Sequence, residues 1–159
     1  LSWIQKNSPE NVSKLFSVPL KDMIYKSQYN LLRIIHYPPL SGNEELNSIR
    51  AAAHEDINLL TVLVAGSQPG LQVLDNNENW LDVTTDKNTI VINSGDMLNM
   101  ASDNYYPSTT HRVINPDPHS NVSRYSMPLF LHPRDEVVLN ENYTAGSYLQ
   151  ERLEEIGLK

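Results

Sequence analysis

From Leu31 onward the chain breaks into short runs of branched and aromatic residues: "LLRIIHY", "INLLTVLVAG", "LQVL", "WLDV", "TIVIN", "HRVIN" and "VSRYSMPLFL". Clusters of Gly, Pro, Asn and Asp separate them. Runs this short with turn residues at both ends are strands, and many in succession form an all-β sandwich or barrel. Helical text frames that core. "SPENVSKLF" offers Ser8 as an N-cap with Pro9 at the first helical position. "NEELNSIRAAA" predicts a helix interrupting the strands. "AGSYLQERLEEIG" predicts a closing one, with Thr144 as cap and Gly157 as stop. A chain of 159 residues has room for one domain with a core and little more.

Composition narrows the chemistry. Lys and Arg number 12 against 19 Asp and Glu, a formal charge of -7. No basic run offers the surface that nucleic acid needs, so no nucleic-acid partner is expected. Without any cysteine, disulfides, thiolate nucleophiles and sulfur-ligated metals are excluded, and a metal must sit on nitrogen and oxygen. No apolar stretch reaches the roughly 20 residues of a membrane span, and "LSWIQKNSPE" does not read as a signal peptide. No membrane partner is expected, and the cytoplasm is the expected compartment.

The stretch "AAAHEDINLL" places His54 and Asp56 two apart where the chain enters its apolar core. If Asp56 opens the strand that follows, the pair shares one face, about 7 Å apart. On a helix the same spacing would separate them by about 200°. H-x-D alone is weak and needs a third ligand. Of the remaining histidines, His119 lies in the turn-like "NPDPHSN" and His132 precedes Pro133 at a strand end; both read as exposed. His111, in "TTHRVIN", lies in a strand. With "PDPHSN" as a hairpin turn, His111 would pair with Ser126 and Val113 with Arg124, all facing one side. Two histidines and an aspartate form the facial triad typical of non-haem Fe(II) sites, which leaves ligand positions open. An arginine and a serine beyond it suit a carboxylate, the arginine by paired hydrogen bonds.

Taken together, "HED" at 54–56, "YYPSTTHRVINP" at 105–116, "RYS" at 124–126, "LLRIIHYPP" at 31–39, "GLQVLDNNENWLDV" at 70–83 and "NSGDML" at 93–98 resemble the isopenicillin N synthase-like branch of the Fe(II)/2-oxoglutarate-dependent dioxygenases. The resemblance implies a mainly β fold, a double-stranded β-helix or jelly roll with flanking N- and C-terminal helices. One catalytic domain over residues 1–159 would then comprise a helical lead-in at 1–30, a jelly-roll core at 31–139 and a helical tail at 140–159. It implies Fe(II) held by His54, Asp56 and His111, and 2-oxoglutarate held by Arg124, Ser126 and Tyr37. The implied reaction oxidises a small-molecule substrate with O2 and releases succinate and CO2. Many plant members carry an asparagine two residues before that tyrosine; Ile35 stands there here, so fewer bonds to the cosubstrate are expected.

Alternatives belong to other classes. An oxidase like isopenicillin N synthase would use Fe(II) and O2 without 2-oxoglutarate. A hydrolase could place the triad on zinc, and a catalytically reduced metal-binding β-barrel would only bind. Relatives carry a longer N-terminal half than the roughly 30 residues before "LLRIIHYPP", so an uncovered apolar barrel face and self-association are expected. Trp80 and Phe130 read as core, Tyr105 and Tyr106 as packing residues, and Glu55 as solvated or paired.

Overall fold

The computed structural model describes residues 1–159 except 65, 85, 87 and 159. Three short helices come first, α1 (Ser2–Asn7), α2 (Glu10–Ser13) and α3 (Leu20–Met23). Nine strands follow: β1 (Leu31–Leu32), β2 (Ile35–Tyr37), β3 (Ala51–His54), β4 (Leu60–Val64), β5 (Leu71–Leu74), β6 (Trp80–Asp82), β7 (Ile90–Ser94), β8 (His111–Val113) and β9 (Arg124–Leu131). α4 (Asp96–Ala101) lies between β7 and β8, and α5 (Ala145–Glu155) follows β9.

The strands form two antiparallel sheets. One runs β1-β9-β4-β7, with β2 also pairing β9; the other runs β3-β8-β5-β6. β1 and β2 flank one stretch of β9 and are separated opposite Pro128, whose carbonyl accepts from the Arg33 N–H at 3.0 Å. A proline has no N–H to offer a ladder, so the partner strand is broken there. Period-two alternation turns Arg124, Ser126, Pro128 and Phe130 of β9 inward, where they line one cavity with residues of the other sheet. This is the jelly roll, with two sheets face to face.

The main apolar core lies outside that cavity. Val12, Phe16, Leu20 and Met23 of the N-terminal segment pack with Leu59, Met97, Leu98, Val137 and Ala145. Strand residues at one end of the barrel are thereby tied to α4, α5 and the first three helices. Helix α5 forms as the sequence predicts: Thr144 and Ser147 make a reciprocal capping box, and Gly157 takes a positive φ of 74° just beyond its end.

Four expectations need correction. Helix α2 starts at Glu10 with Pro9 as its N-cap, so Ser8 does not cap it; Ser8 instead closes the C-terminal end of α1, where its hydroxyl donates to the Ile4 carbonyl at 2.8 Å and lies 2.8 Å from the Tyr106 hydroxyl. "NEELNSIRAAA" is not helical. The Glu44 carboxylate is captured upstream by the Ser41 and Gly42 N–H groups, Asn47 takes a φ of 66°, and Ala51–His54 pairs with β8 instead. The hairpin does not exist, because β8 pairs β3 and β5 while β9 lies in the opposite sheet. Residues 114–123 cross between sheets, with a 3-10 turn at Pro118–Ser120. Finally, Trp80 and Phe130 are both half-buried: Trp80 carries the Arg112 guanidinium at 3.9 Å over its ring, and Phe130 lines the cavity.

Candidate metal centre

His54 and His111 are cross-strand partners on β3 and β8. Ala51 pairs with Val113, so β3 spends three residues where β8 spends two. That bulge matters, because Ala51 and His54 both line the cavity and regular alternation would send residues three apart to opposite faces. Asp56 does not open a strand; it lies in a bend beyond β3, before β4 begins at Leu60. The bend brings its Oδ1 to 4.0 Å from His54 Nε2 and 3.8 Å from His111 Nε2. Ligand atoms of the three residues all lie within 4.8 Å of one another.

Both imidazoles are held the same way. His54 Nδ1 lies 2.8 Å from the Ala52 carbonyl and His111 Nδ1 2.9 Å from the Thr109 carbonyl. A carbonyl only accepts, so each Nδ1 is the donor, and Nε2 is the atom of each ring available as a ligand beside Asp56. The Asp56 side chain is buried. Its Oδ2 accepts from the Thr61 hydroxyl at 2.6 Å and the Asn93 amide at 2.8 Å. Two imidazole nitrogens and one carboxylate oxygen thus converge in a pocket. This donor set suits a first-row divalent metal bound by nitrogen and oxygen.

Arg124 lies in the same cavity, 1% exposed. Its Nε donates to the Gln68 carbonyl at 3.1 Å, whereas Nη1 is sealed from solvent without a partner. No carboxylate pairs with it among the described residues. Burial, with the nearby Arg50 adding to it, holds the guanidinium below its ordinary pKa, and Tyr37 opposes the shift. An unpaired buried cation is costly unless an anion arrives to meet it. Ser126 follows two residues on, and Ile35 and Tyr37 pair with Ser126 and Arg124 across β2. The Tyr37 ring centre is 5.5 Å from the Arg124 guanidinium carbon.

All six residues singled out in the sequence line this one cavity. Centres of water-sized molecules can occupy about 80 Å³ of it, several times what one water needs. Apart from Thr61 and Asn93, the remaining wall is apolar, with Leu63, Leu71, Val73, Val91 and Val113 among its residues.

Sequence reasoning missed the supports. Thr61 and Asn93 were signalled only as polar positions on inward faces of otherwise apolar strands. Gly66 and Gly95 both lie at close approaches: a Cβ on Gly66 would sit 2.8 Å from the movable end of Arg124 at Nη2, whereas one on Gly95 would sit 2.6 Å from the fixed Asp56 carbonyl. His132 is not exposed as expected. It is half-buried with Nδ1 sealed from solvent and unpartnered, and burial lowers its pKa. His119 is exposed, and Glu55 is paired, accepting from the Thr110 hydroxyl at 2.7 Å.

Fold and site together define a jelly-roll protein with a two-histidine, one-carboxylate cluster facing a buried arginine. The signature of the 2OG-Fe(II) oxygenase superfamily matches residues 28–133, and the chain belongs to that superfamily. A Shewanella oneidensis protein of known structure, described only provisionally as an oxygenase, is 57% identical with a TM-score of 0.89, covering 100% of this chain and 59% of that one. A Neurospora crassa protein solved at full length in complex with alpha-KG is 32% identical with a TM-score of 0.70, over 80% of this chain and 44% of its own. The 2-oxoglutarate-Fe(II) type oxidoreductase hxnY of Emericella nidulans is 39% identical over 62% of this chain and 28% of its own length. The chain therefore spans less than two thirds of each of these relatives, from 28% to 59% of their length. No helix among the described residues is long and apolar enough to cross a membrane.

Proposed function

We propose that the chain carries the metal- and cosubstrate-binding core of an Fe(II)/2-oxoglutarate-dependent dioxygenase that oxidises a small molecule. Iron would be held by His54 Nε2, His111 Nε2 and Asp56 Oδ1, and 2-oxoglutarate by Arg124 and Ser126 with Tyr37 beside them. The observation that carries this reading is the Arg124 guanidinium, buried without a carboxylate partner in the cavity that the triad lines. A dicarboxylate would suit both: Arg124 would hold one carboxylate, and the other end would be available to a metal held by the triad. Bound iron supplies oxidation by O2 coupled to decarboxylation of the cosubstrate to succinate. The protein's own groups do the rest. The two backbone carbonyls fix the imidazole tautomers, Arg124 orients the cosubstrate, and the apolar wall excludes water.

The test is succinate release from 2-oxoglutarate by the Fe(II)-loaded protein, with an anaerobic visible charge-transfer band on adding 2-oxoglutarate. His111→Ala and Asp56→Ala should abolish the band. Retention of the band in both would overturn the site.

A second reading has its own support. Isopenicillin N synthase of Streptomyces clavuligerus is 27% identical across 91% of this chain and 47% of its own length. On that reading, Arg124 holds a substrate carboxylate and no 2-oxoglutarate binds. Failure of 2-oxoglutarate to bind the metal-loaded protein would favour it.

Self-association belongs to the same proposal. Ile90, Ile92, Met127 and Tyr125, between the cavity-lining positions of β7 and β9, are 60%, 59%, 45% and 48% exposed. Leu32 and Ile34 are 60% and 71% exposed. Exposed apolar residues grouped in this way favour association. Light scattering across a concentration series tests it, and a monomer throughout would reject it.

A further inference from the structure

The Asp56 carboxylate is held unsymmetrically. Oδ2 takes both hydrogen bonds, from Thr61 and Asn93, whereas Oδ1 takes none among the described residues and faces the two imidazoles. Thr61 and Asn93 are register partners on β4 and β7, so both donors stand on one rung of the same ladder. The Thr61 hydroxyl has two acceptors in reach, Asp56 Oδ2 at 2.6 Å and Asn58 Oδ1 at 3.3 Å, and the shorter bond to the charged carboxylate is the stronger claim on its proton. Asn58, 1% exposed, donates its amide to the Leu60 carbonyl at 2.9 Å and to the Thr61 hydroxyl oxygen at 3.1 Å. The series Asn58, Thr61, Asp56 is buried throughout.

Resting on the metal-site reading above, we propose that Thr61 and Asn93 are positioning residues that restrict Asp56 to ligation through Oδ1 alone. A carboxylate free to rotate can chelate a cation with both oxygens. One whose second oxygen already accepts two hydrogen bonds must break both to do so, and bonds to a charged acceptor are the stronger kind. One-oxygen ligation keeps a coordination position free for cosubstrate or O2. It also prepays the ordering of the side chain before metal arrives.

The experiment titrates Mn(II) into metal-free protein and follows loss of the free-ion electron paramagnetic resonance signal. Thr61→Val and Asn93→Leu should each raise the Mn(II) dissociation constant about 10- to 100-fold. Thr61→Ser, which keeps the hydroxyl, should restore affinity, a rescue that a merely packing role would not give. In the Co(II)-loaded protein the ligand-field absorption should change in Thr61→Val and Asn93→Leu and not in Thr61→Ser. Folded Thr61→Val and Asn93→Leu variants with wild-type Mn(II) affinity would overturn the inference. Should Thr61→Val not fold, Asn93→Leu decides alone, since Asn93 is only half-buried. His111→Ala separates the two levels. If wild type binds Mn(II) no better than His111→Ala does, the metal-site reading falls and this inference with it; if wild type binds and the two variants match it, only the inference falls.

Discussion

The Tyr148 hydroxyl on α5 donates to Oδ2 of Asp96 at 2.7 Å, 52 residues away in sequence. Asp96 is more than a partner for one tyrosine. Its N–H donates to the Asp56 carbonyl at 2.8 Å, and its Oδ1 accepts from the Ser108 hydroxyl at 2.7 Å. One aspartate therefore joins the closing helix, the segment leading into His111 and the bend that carries Asp56.

Tyr148→Phe should cost about 1 kcal/mol of stability, the net value of one partly solvated hydrogen bond, measured by urea unfolding at neutral pH. Burial first, then the Asp96 carboxylate, raises the Tyr148 pKa well above its ordinary 10.0. The folded chain thus holds the proton more tightly than the unfolded one. That contribution is complete below pH 10.0 and is lost as pH rises through the folded pKa. Wild type should lose stability in that alkaline range more steeply than Tyr148→Phe; equal slopes would contradict the assignment.

Arg124→Leu separates binding from folding. Removing the guanidinium should weaken 2-oxoglutarate by roughly 2 to 5 kcal/mol, the usual cost of truncating one partner of a buried charge pair. Mn(II) affinity should stay near wild type. Because the charge is buried without a carboxylate, its removal should not reduce the thermal midpoint of the ligand-free protein. What should vanish is the rise in midpoint on adding 2-oxoglutarate to metal-loaded protein, which follows from ligand linkage. A preserved rise would show that the cosubstrate sits elsewhere.

Two glycine substitutions should act on different halves of the site. In Gly66→Ala the new methyl meets the end of a long side chain, Arg124 Nη2 at 2.8 Å. The guanidinium can shift, so folding should survive while 2-oxoglutarate affinity falls. In Gly95→Ala the methyl meets backbone, the Asn58 carbonyl and, at 2.6 Å, the Asp56 carbonyl. Overpacking against backbone typically costs about 1 to 3 kcal/mol, and here it displaces the Asp56 bend. Gly95→Ala should lose both stability and Mn(II) affinity. Paired calorimetric titrations with Mn(II) and 2-oxoglutarate check the contrast.

The convergence of His54, Asp56 and His111 was legible because these residue types are chemically specific, and that of Arg124 with Ser126 because residues two apart on a strand share a face. The paths to them were not. His111 and Ser126 were expected to share a hairpin, yet they reach the cavity from opposite sheets. Strand alternation made both face inward under either arrangement, so the wrong pairing gave the right cavity. His54 and Asp56 were placed on one strand, whereas a bulge and a bend bring them together, and neither leaves a mark in a single sequence. Helix propensity misled at "NEELNSIRAAA", where the loop's hydrogen bonds to Glu44 and the β8 ladder outweigh it. Thr61 and Asn93 carried only the weak signal of polar residues among apolar ones, and their meaning depends on a register that the sequence does not state.

His132 yields the last prediction. It follows β9, its N–H donates to Asn30 Oδ1 at 3.0 Å, and its Nδ1 is buried without a partner. Burial lowers its pKa below the ordinary 6.5, and the charge of Asp56 only partly opposes this. The unfolded chain therefore binds the proton more readily. No penalty exists above pH 6.5; as pH falls from there through the folded pKa, protonation favours the unfolded state and stability declines. A substitution that fills the space without titrating removes that decline. In the metal-free protein, wild type should lose more stability than His132→Phe between about pH 7.5 and pH 5.5, a window that spans the ordinary histidine pKa. Urea unfolding at the two pH values measures both changes. An equal loss in the two proteins would place the acid sensitivity on another group.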